Sequence, residues 1–64
     1  MDIDAEKVNI NTHVIKGNYH AAINLAISAL NECRRNNNQL GVDTFLDIIK
    51  DIVQIMSDKF GSRS

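Results

Sequence analysis

Gly17-Asn18-Tyr19-His20-Ala21-Ala22-Ile23, followed six residues after Ile23 by Ala29-Leu30, is the stretch that decides the fold. A glycine separates two apolar segments, an aromatic follows it, and small residues then recur at helical spacing. Glycine turns the chain at little steric cost, and alanines let two helices approach closely. The pattern predicts a helical hairpin closed by a ridge of small side chains. That ridge is Ala22, Ala26, Ala29 and Cys33, at spacings of four, three and four.

There is no proline, and glycines at 17, 41 and 61 divide the chain into units 3–16, 18–36 and 43–60. Glycine is the strongest local punctuator of periodic segments. In the second unit, Tyr19, Ala22, Ile23, Ala26, Ile27, Ala29, Leu30 and Cys33 share a broad face, with His20, Asn24, Ser28, Asn31 and Arg35 opposite. Arg34 and Arg35 suit the negative end of the helix dipole. Asn36-Asn37-Asn38-Gln39 reads as a polar connector.

The third unit is read as a helix from 43 to 60, started by Thr44 with Asp47 or by Asp43. Asp47, Lys50, Asp51, Gln54, Ser57 and Asp58 fall on one arc of about 120°. Phe45, Leu46, Ile48, Ile49, Ile52, Val53, Ile55, Met56 and Phe60 fill an arc of about 180° opposite, wider than one small neighbour covers. Leu46, Val53 and Phe60 are seven apart, as are Ile48 and Ile55 on the other margin. One margin is expected to pack inside the protomer and the other to meet another chain.

The first unit reads two ways. A helix would align Ala5, Val8, Thr12 and Ile15; a strand would alternate Val8, Ile10, Thr12 and Val14 with Asn9, Asn11 and His13. β-Branched residues favour the strand. The spacing to Gly17 favours the helix, which is the reading adopted.

Sixty-four residues make one domain, 1–64, with 61–64 expected to be a flexible tail. A chain this short buries about 60% of its unfolded surface and gains stability readily from a partner. One cysteine excludes an internal disulfide and fits a reducing compartment. A net charge of −1 argues against a phosphate-backbone partner. Met1-Asp2-Ile3-Asp4 is acidic where a signal peptide is basic, and no run of roughly 18 apolar residues exists. A cytoplasmic protein without a membrane partner is expected.

From Ile3 to Leu30 the chain resembles the helix-turn-helix of tetratricopeptide repeats, most closely in Gly17-Asn18-Tyr19, Ala22-Ile23 and Ala29-Leu30. With a third helix it is similar to the three-helix MIT domain. It departs in Asn9-Ile10, where the repeat has a leucine-glycine pair, and in lacking the proline after the second helix. The resemblance implies an all-α fold and a non-enzymatic module that binds peptides or helices. On the strand reading the chain resembles ribbon-helix-helix repressors instead. Lys7 to His13 would then be the ribbon, Leu40-Gly41-Val42-Asp43 the turn, and Asn9, Asn11 and His13 the base-reading residues. Rop-like four-helix-bundle RNA binders have a similar length and are a second nucleic-acid alternative.

His13, His20 and Cys33 are too scattered for zinc, whose ligands cluster. Surface histidines and a buried, packing cysteine are expected, and neither a catalytic residue, a metal nor a cofactor. The fold expected is three helices, oligomeric. The function expected is that of a small adaptor or regulator, without a small-molecule substrate. It would bind an amphipathic helix, or itself as a homodimer, in an apolar groove between helices 18–36 and 43–60. Leu46, Ile49, Val53, Met56 and Phe60 would line that groove, and Asp47 and Asp51 would set orientation and on-rate.

Overall fold

A computed structural model describes residues 2–60, and every element in it is helical: α1 (Ile3–Ile15), α2 (Tyr19–Arg35) and α3 (Gln39–Phe60). The expected tail at 61–64 lies outside the described residues. Residues 3–15 are helix rather than strand. Asp2 caps α1 by accepting a hydrogen bond from the Ala5 amide (3.2 Å), and Asp4 and Glu6 suit the positive end of its dipole. The ribbon that a ribbon-helix-helix dimer requires is therefore absent among the described residues.

The two turns are built alike. At the first, Gly17 has φ of 81°, its amide donates to the Val14 carbonyl (3.0 Å), and the Asn18 amide donates to the His13 carbonyl (2.8 Å). At the second, Asn37 has φ of 58°, its amide donates to the Arg34 carbonyl (3.1 Å), and the Asn38 amide reaches the Cys33 carbonyl (2.8 Å). Both are Schellman closures, with the left-handed residue supplied once by glycine and once by asparagine. Short turns make consecutive helices roughly antiparallel, so α1 and α3 run in the same sense over one face of α2.

The third helix starts at Gln39, four residues before the expected 43. Asn38 caps it by accepting from the Gly41 amide (3.1 Å). Thr44 lies inside the helix, where its hydroxyl donates to the Leu40 carbonyl (2.9 Å) instead of forming a capping box. Gly41 does not punctuate the chain. It is buried against α2, where an added Cβ would collide with the Cys33 thiol and sit 3.2 Å from Cys33 Cβ.

The core consists of Ile10 from α1, Ala22, Ala26, Ala29 and Cys33 from α2, and Phe45 and Ile52 from α3. The small-residue ridge thus does what its spacing predicts, receiving the larger side chains of both neighbours. The face expected of α1 is rotated. Ile3, Ile10 and Val14 turn inward, while Ala5, Val8, Thr12 and Ile15 are exposed. Apolar residues surround this helix almost evenly, so its periodicity does not fix a face.

α1 packs along α2, and α2 along α3, whereas α1 and α3 scarcely meet. The result is a thin layer measuring 37 × 23 × 13 Å.

Candidate functional site

The open seam between α1 and α3 contains a groove of about 450 Å³. Lys7, Val8, Ile10, Asn11 and Val14 form one wall, and Ile48, Asp51, Ile52 and Ile55 the other. In each wall four residues follow the pattern i, i+3, i+4, i+7: Lys7, Ile10, Asn11, Val14, and Ile48, Asp51, Ile52, Ile55. That spacing places them on one helical stripe. Two parallel stripes consequently face each other across a gap. Ile10 and Ile52 are buried, Val14, Ile48 and Ile55 are half-buried, and Val8 stands 67% exposed on the open side.

The groove holds one charge of each sign. Lys7 belongs to the α1 wall and Asp51 to the α3 wall, and both are exposed. No cluster of three or more histidine, cysteine or acidic side chains able to hold a metal occurs among the described residues. The groove is chemically suited to taking up apolar side chains, with a polar direction across it.

The residues that the sequence nominates for partner contact separate into different environments. Leu46, Val53 and Phe60 are exposed by 42%, 49% and 69% and lie on the opposite margin of α3 from Ile48 and Ile55. The Phe60 ring meets Tyr19 of α2 edge to face, with centroids 6.3 Å apart and planes at 85°. This margin therefore faces the α2 flank. Ile49 and Met56 are half-buried and pack on the core. Asp47 and Asp51 are exposed, and only Asp51 lines the groove.

Neither margin of α3 is fully buried. The line that packs inward runs between them, through Phe45 and Ile52. The expected groove between helices 18–36 and 43–60 is replaced by a closed seam, because alanines on α2 and Gly41 on α3 bring these helices together. The apolar groove lies instead where α1 stands off from α3. Sequence reading missed its α1 wall altogether, although the i, i+3, i+4, i+7 spacing of Lys7, Ile10, Asn11 and Val14 was available.

Elsewhere, Cys33 is buried and His20 exposed, as expected. His13 is only half-exposed, and its Nδ1 is buried without a hydrogen-bond partner. Arg35 pairs with Glu32 (3.4 Å) at the end of α2. Asp43 and Asp58 accept hydrogen bonds from Gln39 (3.0 Å) and Gln54 (3.1 Å), so both carboxylates are occupied within their own helix.

Comparison with protein families, curated proteins and solved structures yields no match. No helix of the described residues is long and apolar enough to cross a membrane.

Proposed function

We propose that this chain is a stoichiometric, non-enzymatic interaction module that receives one amphipathic helix in the groove between α1 and α3. The observation that carries the reading is the apolar groove in which Val8 and Val14 of α1 stand across from Ile48 and Ile55 of α3, with buried Ile10 and Ile52 beneath them. A helix laid between them completes a four-helix arrangement and removes the exposed apolar wall from water. Such burial contributes roughly 25 cal/mol per Å² before the costs of association. Helix-in-groove recognition uses the same i, i+3, i+4, i+7 anchors on the ligand.

Lys7 and Asp51 specify the rims of that ligand. An acidic residue over the α1 wall and a basic residue over the α3 wall complement them. The tetratricopeptide- and MIT-like sequence pattern supports the same class of activity, that of an adaptor or regulator acting by occupancy.

The test is selection from a library of amphipathic helical peptides, followed by fluorescence anisotropy with the selected sequences. Val8→Asp and Ile55→Asp are expected to weaken binding at least about tenfold, because each places a charge in the apolar wall. Val53→Asp, on the other margin of α3, is expected to leave it unchanged. Failure to select any peptide, or binding indifferent to both groove variants, contradicts the reading.

A further inference from the structure

The three helices are not equally secured. To the core α2 contributes Ala22, Ala26, Ala29 and Cys33, and α3 contributes Phe45 and Ile52. Among the described residues α1 contributes Ile10 alone. Ile3 and Val14 pack beside it half-buried, while Val8 and Ile15 stand 67% and 77% exposed. The helix rests on α2 and scarcely meets α3. Its side-chain hydrogen bonds, from the Ala5 amide to Asp2 and from Thr12 to the Val8 carbonyl, are internal to it. His13 buries Nδ1 without a hydrogen-bond partner, a cost of the docked state that is relieved once the helix lifts into water.

Local sequence weakens the same helix. Val8-Asn9-Ile10-Asn11-Thr12-His13-Val14-Ile15 contains no strong helix former, since every residue in it belongs to the weaker group. A helix of 13 residues with this composition does not sustain itself in water. Packing on α2, through one deeply buried side chain, is what keeps it helical. By contrast α2 and α3 span 17 and 22 residues and close on each other where Gly41 meets Cys33. Gly17, at φ of 81° with open space around it, joins the weak part to the strong one.

We propose that α1 is a strap that undocks and unfolds while α2 and α3 stay paired, and that a helix in the α1–α3 groove fastens it. Lys7, Val8, Asn11 and Val14 form their wall of the groove in the docked state alone. A groove ligand therefore binds that state and shifts the population toward it. The fastening rests on the helix-receiving role proposed above; the undocking does not.

Amide hydrogen exchange on the full chain under native conditions, read residue by residue by NMR, tests both. Protection factors from Ile10 to Ile15 are expected to lie at least about tenfold below those of the slowest amides of α2 and α3. Asn38→Ala removes the cap of α3 and should speed those slowest amides about fivefold. It should leave α1 unchanged, because α2 and α3 are paired whether α1 is docked or not. A peptide selected for the groove, added at about a hundred times its dissociation constant, should slow α1 exchange at least about tenfold. Equal protection in all three helices, acceleration of α1 together with α2 and α3 by Asn38→Ala, or a bound peptide that leaves α1 exchange unchanged overturns the proposal. If no peptide binds, the helix-receiving role and the fastening fall together, and the free protein still decides the undocking.

Discussion

The two seams that flank α3 differ in one respect that sets everything else: how closely the helices approach. Along α2 the contact is closed, with Ala22, Ala26, Ala29 and Cys33 on one side and Gly41, Phe45 and Ile52 on the other. Along α1 the contact is open, and half-buried Ile48 and Ile55 look across a groove toward Val8 and Val14, with buried Ile10 and Ile52 beneath it. Both seams are apolar, so hydrophobicity alone does not distinguish them. Side-chain size does. Small residues let α2 and α3 close, whereas α1 and α3 each place a larger side chain, Ile10 and Ile52, in the core.

The largest effect is expected where the closed seam is emptied. Phe45→Ala removes the largest fully buried side chain. A loss of about 3–5 kcal/mol is expected, enough to unfold a chain of this length. Chemical denaturation followed by circular dichroism checks it.

Overfilling the same seam comes next. Gly41→Ala drives a methyl group into the Cys33 thiol and is expected to cost about 1–3 kcal/mol, against a helix-propensity gain of up to about 1 kcal/mol. Adding Cys33→Ala should recover part of the loss. A double-mutant cycle with no coupling would mean that the two helices do not touch there.

The turns test whether the seams are held by their connections. Gly17→Ala introduces a side chain at φ of 81° with nothing within 4 Å of it, so its cost is conformational strain alone, about 1 kcal/mol. Asn38→Ala removes the cap of α3 and should cost a similar amount, about 1 kcal/mol. Thermal midpoints of the two variants should therefore fall together.

The smallest effect belongs to the surface. Glu32→Gln breaks the pair with Arg35, which lies outside both seams, and should change stability by less than about 0.5 kcal/mol.

Much of this architecture is legible in the sequence, and the parts that are not have physical reasons. The turn at Gly17 and the ridge of α2 are plain, because glycine and alanine at those spacings have few other uses. The start of α3 is not, because Gly41 has the appearance of punctuation whereas its role is close approach to Cys33. The parallel between Lys16-Gly17-Asn18 and Asn36-Asn37-Asn38 carried the right signal: a left-handed residue followed by an asparagine at the next helix's N-cap position. The buried face of α1 could not be fixed by periodicity, since Ile3, Val8, Ile10, Val14 and Ile15 point in several directions. The excess apolar width of α3 was legible; which margin met which neighbour required the packing of α1.

Isoleucine methyl groups report on both sides of α3, and their spectrum provides the most direct measurement. Ile10, Ile48, Ile52 and Ile55 line the groove, while Ile23, Ile27 and Ile49 lie outside its lining. Isoleucine-labelled protein would be titrated with the helical peptide selected above and followed by methyl NMR. The account predicts that the four groove methyls shift and those of Ile23, Ile27 and Ile49 stay in place. Shifts confined to Ile23, Ile27 and Ile49 would contradict it, because the ligand would then sit on the α2–α3 side.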